Sequence, residues 1–309
     1  MNQYYGSDWD TGDMEGLVSI GSHKLYLSAS GPERLAGEPI VLLMQGLGST
    51  IDEWVAVRKL MLPFARWLNY DRSGMGRSES LAQMPESISA ESVAAELDTL
   101  LKNAGIAPPF IIVGHSWGGI TSRELLNLRP NDIVGMVFVD CNTESYFDDG
   151  TWGLEVFEPM MGGQDFSQTT GLATSHLLSK DEWKSFYNEQ MNERHQKTEM
   201  AEYQGVKTSG RALAQKRQLE NLPLNNQPVS VIIADTSSDF QRIYDCGVAA
   251  GKGTEEERAV YLTHLARLRE KSEDWQCELL KLSRRSRAVR VKCGHNVQML
   301  QPQPIVQEI

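Results

Sequence analysis

With 309 residues, 40% hydrophobic and 23% charged, the chain has the make-up of a folded globular protein, long enough for two domains or for one large α/β domain with an insertion. Its 30 Lys and Arg against 41 Asp and Glu give a net charge of −11, which repels phosphate backbones and excludes nucleic acid as an expected partner. No apolar run approaches the ~18 residues of a membrane helix, and the polar stretch from Met1 to Asp10 lacks the basic and apolar regions of a secretory signal. A cytoplasmic protein without a membrane span is therefore expected. The four cysteines, Cys141, Cys246, Cys277 and Cys293, have no CxxC or Cys/His metal spacing, so free thiols, no metal and no cofactor are expected.

Short β-branched apolar runs alternate with longer helical patterns, the signature of a mostly parallel sheet covered by helices. Leu17 to Ile20 and Lys24 to Ser28 flank Gly21-Ser22 and read as an opening hairpin. Ile40 to Gln45 is a buried strand ending in Gly46-Leu47-Gly48, a helix follows from Ile51 to Leu62, and Ala65 to Tyr70 is the next strand. Ser89 is placed to cap a helix whose Val93, Leu97, Leu100 and Leu101 share one face, with Gly105 as its stop. The strand Phe110 to Val113 runs into Gly114-His115-Ser116-Trp117-Gly118, a helix spans about Ile120 to Leu128, and the strand Gly135 to Val139 ends at Asp140.

From Cys141 to about Gln227 this rhythm is lost. The segment is too long for a connection and carries Trp152, Phe157, Met160, Met161, Phe166, Trp183, Phe186 and Tyr187, so a folded helical lid is expected. Met160-Met161-Gly162-Gly163, with Trp152 and Phe157, would either form an apolar ceiling over a site or pack as the core of the lid. Val229 to Ala234 returns to strand character, and Thr254 with Glu257 makes a capping-box pattern opening a helical stretch to about Leu282. Arg287 to Lys292 is the last strand; its basic group of Lys281, Arg284, Arg285, Arg287, Arg290 and Lys292 alternates with Leu282, Val289 and Val291 and reads as a helix end and a half-exposed strand. The domain division is thus 1–140 with 228–309 as the core and 141–227 as the inserted lid.

The chemistry centres on Ser116. Strand, tight glycine turn and helix around G-x-S-x-G make the context a nucleophile elbow requires, with a serine held at the tip of the turn. A serine hydroxyl needs a base, and of six histidines only His295 follows a final strand and a glycine. His115 is locked inside the elbow, and His23, His176, His195 and His264 lie in a hairpin, the lid and a helix, where structural roles are expected. An order of Ser, acid, His suits this arrangement. Asp71-Arg72 with Gly74 and Gly76 lacks the order of a phosphate loop and is expected to be scaffold.

These motifs together, with Gln45-Gly46-Leu47-Gly48, Tyr70 to Ser78, Val137-Phe138-Val139-Asp140 and Gly294-His295, resemble the α/β-hydrolase fold superfamily over roughly residues 15–140 and 227–305. The resemblance implies a mostly parallel central sheet flanked by helices, and an oxyanion hole formed by the backbone N–H groups of Leu47 and Trp117. The residue before the oxyanion glycine is often histidine in that superfamily and is Gln45 here, expected to brace the loop or touch substrate. The acid has three candidates. The usual Gly-x-x-Asp spacing after the seventh strand puts Ser237 where the acid would stand; Asp140 follows the sixth strand, where other branches carry their acid, and is preferred to Asp239 and Asp235.

The function expected is a serine hydrolase of the esterase kind, with Ser116, His295 and Asp140 as triad, cleaving an ester, lactone or thioester of a small to medium-sized apolar carbonyl compound. Two other readings keep the same pocket: a biosynthetic enzyme performing cyclisation, C–C cleavage or condensation, and a ligand receptor with an idle triad. Intact Ser116 and His295 argue against the latter. Fold and triad set the reaction class, whereas the lid sets the substrate.

Overall fold

The computed structural model describes residues 7–147 and 153–309. Met1 to Gly6 of the leading stretch and Trp152 of the lid lie outside the described residues. One sheet contains β1 (Met14–Ser19), β2 (Lys24–Ser30), β3 (Ile40–Met44), β4 (Trp67–Tyr70), β5 (Phe110–His115), β6 (Ile133–Val139), β7 (Val229–Ile233) and β8 (Ser286–Arg290), in the order β1-β2-β4-β3-β5-β6-β7-β8. β1 and β2 form the antiparallel hairpin around Gly21-Ser22, β2 pairs antiparallel with β4, and the pairs from β4 through β8 are parallel.

Alternation along the central strands explains why both faces of the sheet are covered. Ile40, Leu42 and Met44 point into one core with Ala94, Leu97, Leu100 and Leu101. Val41 and Leu43 point into the other, with Trp54, Val57 and Met61. Those partners come from α1 (Val55–Met61) and the short turn before it on one side, and from α2 (Ala90–Asn103) on the other, beside α3 (Gly118–Leu128). α2 starts where Ser89 accepts a hydrogen bond from the Ser92 N–H, 3.1 Å away.

Between β6 and β7 the chain forms α4 (Leu154–Met161), α5 (Phe166–Thr169), α6 (Leu172–Ser175), α7 (Lys180–Gln190), α8 (Glu193–Gln215) and α9 (Gln218–Asn221). α8 is the element that fastens this helical insertion to the sheet domain. Its buried positions, among them Thr198, Ala201, Glu202, Gly205, Val206, Ser209 and Leu213, fall on one face. At Gly205 the helix crosses so close that a Cβ would stand 1.8 Å from the Ile88 carbonyl oxygen. Polar contacts flank the crossing: the Ile88 N–H donates to Ala201 O at 2.8 Å and the Ala90 N–H to Ser209 Oγ at 2.9 Å.

A second helical excursion follows β7: α10 (Thr236–Ala249) and α11 (Glu255–Cys277), the latter opened by the reciprocal bonds of Thr254 and Glu257. The sequence reading contains no helix at 236–249, although Phe240, Ile243, Tyr244 and Gly247 recur at helical spacing. α10 and α11 pack against α4: Met160 is fully buried with Val156, Ile243 and Tyr261, and Phe157 and Met161 lie against them. The Met-Met-Gly-Gly stretch is therefore packing core and leaves the ceiling to other residues. α12 (Val297–Leu300) and α13 (Pro302–Glu308) complete the chain. β8 is the exposed edge strand, and its arginines are paired, Arg287 with Glu308 at 2.6 Å and Arg290 with Glu273. Among the described residues no helix is long and apolar enough to cross a membrane, and no group of three or more His, Cys, Asp and Glu side chains could hold a metal ion.

Candidate active site

β5 delivers the chain into a turn that only small residues fit. A Cβ on Gly118 would lie 2.1 Å from Met44 O, and one on Gly119 would lie 2.6 Å from the Cys141 Cβ. Gly114 is nearly as confined, at 3.0 Å from Gly118 O. Compressed between them, Ser116 takes φ +54°, a left-handed conformation that costs a non-glycine residue about 1–3 kcal/mol and persists because the surroundings fix it. The serine is half-buried at the amino end of α3 and lines two chambers of one cavity. Buried His115 donates through Nε2 to His295 O at 3.1 Å and packs its ring 4.6 Å from that of His295, so it supports the site from behind. Burial and the neighbouring His295 push its pKa down to about 3.

The loop after β8 brings His295 over the same cavity. Its Nδ1–H donates to Asp140 Oδ2 at 2.6 Å. Asp140, also at positive φ, is buried at the end of β6 and accepts further bonds from the Ala234 N–H at 3.2 Å and from the Thr236 hydroxyl. Burial alone would raise the Asp140 carboxyl; the hydrogen bond and charge of His295, with Thr236 and Ala234, outweigh it and hold it below the usual carboxylate range. Burial alone would likewise lower the His295 imidazole, but the bond and charge of Asp140, then the charges of Asp239 and Glu53, keep it above its ordinary value.

The other two acids stand elsewhere. Asp239, on α10, accepts from the backbone N–H of His295 at 2.7 Å rather than from its ring. Its carboxylate fills the space a Cβ on Gly294 would need, 2.1 Å away. Asp235 precedes α10 and accepts from the Ser237 hydroxyl at 2.7 Å. The remaining histidines serve structure: His23 bonds Ser73 Oγ at 2.6 Å, His176 stacks on Trp183 at 4.0 Å, buried His195 lies 3.3 Å from Glu189, and His264 packs on Phe157 and Phe240.

Leu47 and Trp117 flank Ser116 in the cavity wall. The loop carrying Leu47 is held from both sides by one buried ion pair. Arg72 donates to Gly46 O at 2.7 Å and to Glu202 at 2.5 and 2.9 Å, and Glu202 accepts from the Gly48 N–H at 3.0 Å. Gln45 is 1% exposed, donates through Nε2 to Tyr70 O and lies within 3.3–3.5 Å of Arg72, so it braces this loop.

One chamber, of about 270 Å³, is walled by Tyr146, Phe147, Val206, Phe240, Leu268 and Trp275. A second, of about 380 Å³, meets it at Leu47, Ser116, Phe166 and His295 and is lined by Glu53, Gln190 and Glu199 among others. Of these wall residues the sequence points to Leu47, Ser116 and His295 as site residues and to Phe166 only as an aromatic of the lid. The others come from the turn before 148, from α7, α8, α10 and α11 and from the segment before α1, and only the helical spacing in α10 offered a signal.

The sequence matches the family described as "Alpha/beta hydrolase family" over residues 40–308. An "AB hydrolase superfamily protein" of Gibberella zeae is 30% identical over 96% of this chain and 94% of its own length. A Hormonema carpetanum protein named "Probable transporter efuK" is 31% identical over 98% of this chain, which spans 43% of that protein. Among solved structures, Cfl2 from Burkholderia cenocepacia superposes with a TM-score of 0.64 at 17% identity, covering 96% of this chain and 95% of that one. A thermophilic esterase from Thermogutta terrifontis superposes with a TM-score of 0.59 at 13% identity, covering 95% and 96%. The fold is thus one shared with hydrolytic enzymes. With a family match across most of its length and a full-length relative at 30% identity, the chain belongs to the alpha/beta hydrolase family.

Proposed function

We propose that the chain is a serine hydrolase that cleaves an ester, lactone or thioester of a small to medium-sized, largely apolar molecule through an acyl-enzyme. The observation that carries this reading is the buried Asp140–His295 hydrogen bond of 2.6 Å, standing over the cavity in which Ser116 is held at φ +54°. In this mechanism Ser116 Oγ attacks the substrate carbonyl carbon while its proton passes to His295 Nε2. Asp140 keeps the proton on Nδ1 and stabilises the imidazolium without accepting it. The N–H groups of Leu47 and Trp117 hold the oxyanion, each contributing about 3 kcal/mol to transition-state stabilisation. Collapse expels the leaving group, which takes the proton from Nε2. Water then attacks the acyl carbon, gives a proton to the same nitrogen, and the acid is released as Ser116 recovers its proton.

In this reading residues 1–140 and 228–309 carry the chemistry and the insertion at 141–227 sets substrate selection, with α10 and α11 sharing that task through Phe240, Leu268 and Trp275. A fluorophosphonate probe tests the proposal: wild type is labelled and Ser116→Ala is not. Equal labelling of the two would overturn it.

A further inference from the structure

The two chambers that meet at Ser116 differ in chemistry. The first is walled largely by aromatic and aliphatic side chains, and its two carboxyls, Asp140 and Asp239, are both engaged by His295. The second carries carboxyl groups, and no Lys or Arg is among its described lining residues. Glu53 is 7% exposed and its carboxyl accepts from Gln298 Nε2 at 3.3 Å. Glu199 projects from α8 against the loop that carries Leu47: a Cβ on Gly48 would come within 2.6 Å of its Oε1. Its carboxyl has no hydrogen bond or salt bridge among the described residues, unlike Glu202 one turn on, which is saturated by Arg72 and the Gly48 N–H. The Gln190 amide, which donates to Gly48 O at 3.3 Å, lies beside it in the same wall.

A carboxyl that lines the same cavity wall as the reacting serine and spends no hydrogen bond on the described residues is free to accept one from a ligand. We infer that the second chamber receives the leaving group, and that this group is a neutral or cationic hydrogen-bond donor, a hydroxylated alcohol or an amino alcohol, held by Glu199 and Glu53. The inference rests on the hydrolase reading for the direction of acyl transfer, since the aromatic chamber then receives the acyl part. Burial pushes the Glu53 carboxyl up to about 7, so it can donate as well as accept near neutrality, and burial also raises that of Glu199. An anionic leaving group finds no countercharge.

The experiment compares octanoate esters of 1-propanol, ethylene glycol, 2-(dimethylamino)ethanol and glycolic acid. Calorimetry on Ser116→Ala reads binding without turnover. The expected result is at least tenfold tighter binding of the glycol and amino-alcohol esters than of the propyl ester, with the glycolate ester weakest. Adding Glu199→Leu brings the first three within about threefold of each other, whereas Glu199→Gln retains the glycol preference and loses the additional preference for the amine. Equal affinities, a preference that survives Glu199→Leu, or no measurable binding of any ester overturns the inference. Turnover by the unaltered protein separates the two claims: if the binding preference holds but no ester is hydrolysed in a Ser116-dependent way, the hydrolase reading and with it the leaving-group role fail, while the chamber's preference for hydrogen-bond donors stands.

Discussion

His295 is gripped by two carboxylates that do different work, and substitution separates them. Asp140 holds the ring nitrogen, so in the proposed mechanism Asp140→Asn removes the charge that fixes the tautomer and stabilises the imidazolium. A loss of about 10³–10⁴-fold in kcat against a short-chain ester is expected, with the acidic limb of the pH profile moving to lower pH because the group raising the His295 pKa is gone. Asp239 holds the backbone N–H, so Asp239→Asn, which keeps an acceptor oxygen, is expected to cost less than about tenfold in kcat. Reversed magnitudes would exchange their roles.

Glu53 makes a prediction of a different kind. Burial lifts its carboxyl from 4.5 to about 7, so the folded chain retains a proton that the unfolded chain releases across that interval. Stability therefore falls as pH rises from about 4.5 to about 7 and levels off above, by roughly 3 kcal/mol from this group. Buried Asp71, pushed up to about 6, acts in the same direction. Urea unfolding at pH 5 and pH 8 should show a smaller loss for Glu53→Gln than for wild type, and an identical loss in both would contradict the assignment.

Among the elements, α8 decides how firmly the insertion is attached. Gly205→Ala forces a methyl group into the Ile88 carbonyl, and a loss of about 1–3 kcal/mol is expected, read from thermal or urea unfolding. Glu202→Ala leaves Arg72 buried without its partner, which costs about 3–5 kcal/mol, and also frees the Gly48 N–H beside Leu47. In that variant kcat should fall while KM changes little, because the loop being loosened acts on the transition state. Periodicity in the sequence revealed α2 and α11 with their capping residues Ser89 and Thr254. It missed α10, because Asp235-Thr236-Ser237-Ser238-Asp239 reads as the polar turn after a strand and the apolar positions that follow are few.

For the molecule as a whole, these contacts describe a cap fixed to the sheet domain rather than a flap. Hydrogen exchange should find the α8 amides from Thr198 to Leu213 as protected as those of β5 and β6, and the amides of α7 less so, since α7 buries only Phe186. Uniformly fast exchange along α8 would show instead that the insertion opens as a unit.

Sequence alone anticipated the sheet and the tight turn at Ser116, and it singled out Ser116 and His295, which line one cavity, because these readings depend on local rules: period-two alternation, glycines where no side chain fits, and the order of residues along the chain. It preferred Asp140 to Asp239 and Asp235 by position in the chain, with no contact to decide among them. All three follow strands in polar surroundings, and only the folded chain brings one carboxylate to the ring, one to the backbone of His295 and leaves the third at a helix start. The cavity was equally illegible. Its walls assemble side chains from segments as distant as Leu47, Val206 and Trp275, and neither the apolar chamber nor the unpaired Glu199 exists until α8, α10 and α11 pack over the sheet. Local sequence fixes local geometry, whereas the environment of a side chain is set by neighbours that tertiary packing alone supplies.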